Sequence, residues 1–277
     1  MRMWLWTVLC LSSVFAFCVG CGSEPQYQGK ALSQWQAQLS GEDPLLATQA
    51  ATALGEMGAE GVPALTAALK TEDATVRAAI VRALGKANPA ATKVATDALQ
   101  DEEAGVRVAA IGVLGTHGKQ AVETLISSMQ NDEAAAVRAA AATQLGLLAL
   151  QPDVTVPALT SAFADESAEV RRAVANALAA FGAESVPTLV KALQEDKEIS
   201  EAVASALGTM GGEAKQAIPS LIEALVDENW KLGIEAKSAL QSIGPAAIPA
   251  LKEAAESEDE ELRTAATKTL EKIQETP

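Results

Sequence analysis

The chain has 277 residues and a net charge of −15, and its composition is 49% hydrophobic but only 3% aromatic. The apolar content is therefore mostly alanine and leucine, which suits many small helices better than a sheet rich in β-branched and aromatic residues. The acid excess makes the chain a poor general binder of phosphate backbones, and its single histidine excludes a multi-histidine metal site.

Residues 1–20 differ from everything after them. Arg2 gives a basic start, and Met3 to Val19 is apolar apart from Thr7, Ser12 and Ser13. This is the layout of a secretory signal. Cys18-Val19-Gly20-Cys21 resembles a bacterial lipoprotein box, with Cys18 standing where leucine is usual. The resemblance implies cleavage before Cys21, a lipid on Cys21, and anchorage in the cell envelope facing the periplasm or exterior. Several acyl chains on one residue hold a protein far better than one. Two other readings fit the same residues: an uncut anchor, for which the 17-residue apolar run is at the lower limit, and a Cys18–Cys21 disulfide. All three cysteines lie in this segment, so the body holds no thiol. Cleavage removes only the Arg2 charge and leaves a mature charge of −16. Residues 21–29 read as a polar tether, and residues 30–277 as the folded body.

The body is one unit repeated. Leu54, Leu84, Leu114, Leu145, Leu178, Leu207, Leu240 and Leu270 recur at steps of 30, 30, 31, 33, 29, 33 and 30 residues. Relative to each leucine, apolar residues recur at −8, −4 and +3, which is one helical stripe. At −11 stand Asp43, Asp73, Glu103, Ala134, Ser167, Asp196, Asn229 and Asp259, six of which are good N-caps. Gly58, Gly118, Gly182, Gly211 and Gly244 follow the stripe and suit a left-handed helix stop. A second helix is marked by Val/Ile-Pro-x-Leu, with Pro63, Pro157, Pro187, Pro219 and Pro249 expected near its start. Unit one has Leu32, Trp35 and Leu39 instead, and Trp35 is expected to cover the end of the core.

This unit, with its Val-Arg pair, Ala-Leu-Gly and Val-Pro-x-Leu, resembles the short HEAT repeats of the phycobilisome-lyase class over about residues 30–275. The resemblance implies an all-α solenoid of about eight two-helix repeats with a long exposed surface. It also brings an alternative function, bilin attachment or another HEAT-family enzyme activity.

Arg77, Arg107, Arg138, Arg171 and Arg263 stand at −7. They read as partners for acids of their own or the next unit, such as Asp73 and Asp259, each pair exposed and worth below about 1 kcal/mol. A basic ladder for an anion is the functional alternative. His117 replaces an apolar +3 residue and reads as partly buried packing. Acid pairs such as Glu102-Glu103 read as solvated turns. No zinc, nucleotide or paired-cysteine motif is present, so neither metal nor cofactor is expected. Unit seven breaks the pattern: Trp230 stands at −10, Gly233 replaces the arginine, and Ile234 follows. An exposed tryptophan beside isoleucine has the composition of an interface hot spot, unless Trp230 folds over the helix left open by Gly233. Arg82, Arg172 and Asn176 lie on the equivalent stripe of other units. The expected function is a membrane-tethered, non-enzymatic scaffold that binds a protein and no nucleic acid.

Overall fold

The computed structural model describes residues 24–87 and 91–275. The signal segment 1–20, the expected lipid site Cys21 and residues 22–23 lie outside the described residues. From Glu24 onward, the stretch expected as a tether is folded onto the first unit. Gln26–Tyr27 (β1) pairs antiparallel with Lys30–Ala31 (β2), and the Glu24 carboxylate accepts hydrogen bonds from the Ser33 backbone and hydroxyl.

Eight helix pairs follow. They are α1 (Leu32–Leu39) with α2 (Pro44–Glu56), α3 (Val62–Ala68) with α4 (Ala74–Ala87), α5 (Thr92–Ala98) with α6 (Ala104–Leu114), and α7 (Val122–Asn131) with α8 (Ala135–Leu148). Then come α9 (Pro152–Ser161) with α10 (Ala168–Ala179), α11 (Val186–Glu195) with α12 (Ser200–Thr209), α13 (Ile218–Glu223) with α14 (Trp230–Ile243), and α15 (Ile248–Ala254) with α16 (Glu260–Glu275). This is the all-α solenoid expected from the repeat. Among the described residues no helix is long and apolar enough to cross a membrane.

The apolar stripe is the core. At −4, Ala50, Ile80, Ala110, Ala141, Val174, Val203, Ala236 and Ala266 are all wholly buried. The leucine anchors are buried too, except the half-buried Leu270 in the last unit. Trp35 closes the other end. It is 5% exposed, its indole N–H donates to the Tyr27 carbonyl at 3.1 Å, and the Lys30 ammonium sits 4.2 Å from the ring centre.

The glycine of Ala-Leu-Gly serves the stack rather than the helix. A Cβ on Gly55, Gly85, Gly146 or Gly208 would lie 2.5–3.1 Å from Ala83, Val113, Ala177 or Ala239, the −1 residue of the next second helix. Missing side chains thus let successive second helices nearly touch.

Helix ends follow the sequence in most units. Asp43, Asp73, Asn229 and Asp259 accept hydrogen bonds from free backbone N–H groups of the first turn. Two expected caps do not form. The Ser167 side chain makes no cap bond, and Asp196 lies outside α12, which starts at Ser200. In four units an aspartate two residues earlier braces the turn. Asp101, Asp132, Asp165 and Asp227 accept from the N–H of Glu103, Ala134, Ser167 and Asn229 at 2.8–3.0 Å. All five predicted stop glycines have φ between +55° and +73°. Unit four has no glycine there, and Ala149 takes φ +46° instead, a conformation that crowds a Cβ. Pro157 departs from expectation. It lies inside α9, because that helix starts a turn earlier at Pro152.

The arginines bind forward along the stack. Arg77 grips Asp101 of the next unit with two bonds of 2.9 Å, and Arg107 grips Asp132 at 2.9 and 3.0 Å. Arg138 grips Asp165 at 2.6 and 2.9 Å, while Arg171 reaches Asp196 at 2.5 Å and Glu198 at 2.6 Å. Each also donates through Nη1 to two carbonyls of its own inter-helix turn, as Arg107 does to Asp101 and Glu102. Pairing with acids of the next unit is as expected, whereas the exposed pairs with Asp73 and Asp259 are corrected. Those aspartates cap helices, and Arg77, Arg107 and Arg138 are only 9%, 5% and 8% exposed. The buried guanidinium needs five partners, which a single carboxylate four residues away does not supply. The Arg77 and Arg138 guanidiniums hold the Asp101 and Asp165 carboxyls below the usual carboxylate range by hydrogen bonding.

Candidate protein-docking groove

The ladder ends before the last units. Ser200 and Gly233 occupy the arginine position in units six and seven, and the Arg263 side chain in unit eight bonds only the Ser257 and Glu258 carbonyls among the described residues. Lys197 takes over Asp227 at 2.7 Å and lowers its pKa by hydrogen bonding. The glycine contact ends as well. After Leu240 stands Gln241, half-buried, where units one to four and six have glycine. Of the seven contacts between successive second helices, α14 against α16 is the sparsest.

A groove of about 740 Å³ opens between α14 and α16. Trp230 and Ile234 line one wall and are 68% and 54% exposed. Trp230 does not fold into the slot left by Gly233. A Cβ at Gly233 would meet the Leu225 carbonyl oxygen at 3.1 Å, so backbone already fills that space. The rest of the lining is polar at both ends. Glu260 and Glu261 sit at the start of α16, and Lys237 and Lys268 about two turns further along. None of these four has an ion-pair partner among the described residues, while groove residue Asp227 is held by Lys197.

The structure does not gather the sequence-predicted binding residues into one site. Trp230 and Ile234 share this groove. Arg82 edges a smaller groove of about 490 Å³ between α4 and α6, with Gly85, Lys86 and Gly112. Arg172 lies beside Glu198 and Glu235, and its guanidinium donates to the Glu198 carbonyl at 3.3 Å. Asn176 is exposed on α10 and lines none of these grooves. His117 is half-buried with Nδ1 2.8 Å from the Val113 carbonyl oxygen, a packed position as expected. Sequence reasoning missed the four unpaired charged residues of the groove, Lys237, Glu260, Glu261 and Lys268. The signal was there in unit eight, where Glu260 and Lys268 fall on the same −10 and −2 stripe as Trp230 and Ser238.

Comparison with known proteins gives the repeat a family. No curated protein sequence matches the chain. Among solved structures, Kap121p bound to Nup53p aligns with a TM-score of 0.60 and 16% identity, over 88% of this chain and 33% of Kap121p. The chain thus spans about a third of that relative's length, and the likeness is one of fold. The CpcE–CpcF complex of phycocyanin lyase from Nostoc sp. PCC7120 is 30% identical, over 53% of this chain and 96% of that one, with a TM-score of 0.46. Human deoxyhypusine hydroxylase is 23% identical, over 88% and 96%, with a TM-score of 0.39. The signature of HEAT repeats matches residues 32–104, 92–166, 156–241 and 218–277, and the chain belongs to the HEAT-repeat family.

Proposed function

We propose that this protein is a non-enzymatic scaffold, held at the outer face of a membrane by a lipid on Cys21, which docks a protein partner in the groove between α14 and α16. The observation that carries the docking site is the 68% exposure of Trp230 beside Ile234 in the groove. A large aromatic in such a place is where binding energy concentrates. Kap121p, which shares the fold, has been solved bound to Nup53p, and this supports protein recognition as the use of the solenoid. The lipid reading rests on the Cys18-Val19-Gly20-Cys21 box and the apolar run before it. Proximity labelling from the tethered protein, repeated with Trp230→Ala, tests the docking site. A discrete set of neighbours lost in the variant is expected, and an unchanged set would sink the site. Membrane fractionation of Cys21→Ala tests the anchor. Release is expected, and full membrane retention with no change in mass would sink the lipid.

A further inference from the structure

We propose that the occupant of this groove is an amphipathic helix of a protein partner that carries opposite charges at its two ends, and this rests on the docking reading above. Along α16, Glu260 and Glu261 come first and Lys268 follows eight residues later, a rise of about 12 Å. Lys237 on α14 lines the opposite wall at −3 of its unit, one position from the −2 of Lys268. Trp230 stands at −10, level with Glu260 and Glu261, and Ile234, one turn further along, forms the apolar middle with Ala265. The groove therefore has two acids facing an aromatic wall at one end, a short apolar middle and two lysines at the other end.

A uniformly acidic segment would meet Glu260 and Glu261, and a uniformly basic one would meet Lys237 and Lys268. Like charges brought together at an interface oppose binding. A segment with one basic end, an apolar face and one acidic end matches all three zones. It must span about two helical turns between its charges, which a helix does while satisfying its own backbone hydrogen bonds. Ladder arginines elsewhere are neutralised by their aspartates, whereas Lys237, Lys268, Glu260 and Glu261 are left to face a partner.

The test uses the full chain and three cross-linked helical peptides of about 14 residues, labelled for fluorescence anisotropy, with the same leucine face. One has Lys at one end and Glu at the other, the second has Glu at both, and the third has Lys at both. The mixed peptide should bind about fivefold more tightly than either other. With Lys237→Glu and Lys268→Glu together, the all-Lys peptide should become the tightest. With Glu260→Lys and Glu261→Lys together, the all-Glu peptide should. If all three bind equally and Trp230→Ala weakens all of them, the charge inference fails and the docking site stands. If none binds at millimolar peptide, or Trp230→Ala changes nothing, both fail.

Discussion

Helices α4 to α10 and helices α14 to α16 join one repeat to the next by different means. In the first region the buried Arg77, Arg107 and Arg138 each cross a junction to an aspartate, and a glycine after each leucine anchor lets second helices approach. In the second, Gly233 and Gln241 remove both devices, and the junction opens into a groove with an exposed tryptophan. The difference shows how a repeat protein frees surface. Where inter-unit contacts are complete, apolar area is consumed by the stack, and where they lapse it faces outward.

The largest expected effect lies in the closed region. Arg107→Ala strands Asp132 and two turn carbonyls, and should lower stability by roughly 3 kcal/mol in urea denaturation. Arg263→Ala, which loses only carbonyl bonds at the array's end, should cost about 1 kcal/mol. Equal losses would show that the forward aspartate adds nothing. Acid should separate the regions in the same sense. The depressed carboxyl pKa values of Asp101 and Asp165 stabilise the fold above the unfolded value near 4. That contribution is lost as pH falls from there through the folded values. The turn into α14 holds one such carboxyl, Asp227, whose partner Lys197 is exposed, so hydrogen exchange should show α4 to α10, with buried arginine partners, losing more protection than α14 to α16 between neutral pH and pH values below about 4.

In the open region the expectation reverses. Trp230→Ala should weaken partner binding by about 2 kcal/mol, while changing stability by less than about 0.5 kcal/mol. A stability loss as large as that of Arg107→Ala would mean that the tryptophan is structural. Gln241→Gly should draw α16 toward α14 and reduce iodide quenching of Trp230, against a helix-propensity loss of about 1 kcal/mol. Unchanged quenching would separate the glycine contact from groove opening. The smallest effect falls at the end of α8. Ala149→Gly should stabilise by roughly 0.5–1 kcal/mol, because φ +46° suits glycine, and thermal denaturation would read it.

Much of the repeat was legible because its chemistry is local. The wholly buried −4 residues, the five left-handed glycines and the caps at Asp43, Asp73, Asn229 and Asp259 all follow from spacing along one helix. What was read only in part crosses between units. The arginine partner lies 24 to 27 residues away, so a rule for neighbours on one helix pointed to Asp73 rather than Asp101. Yet Asp101, Asp132, Asp165 and Asp227 all stand 13 residues before their leucine anchors, a regularity visible in the sequence. At the candidate site Trp230 and Ile234 stood out as departures from the repeat. Lys237, Lys268, Glu260 and Glu261 did not, because ordinary surface charges gain meaning only when two helices face each other.

The forward direction of the arginine ladder also makes the interior interchangeable. Arg107 does not recognise Asp132 as an individual; it recognises the turn geometry that Asp165 repeats one unit later. Excising a whole repeat from between them would present Arg107 with an equivalent carboxylate and leave the junction chemically intact. The array can therefore shorten or lengthen from its middle by complete modules, while Trp35 at one end and the groove at the other are carried along unchanged.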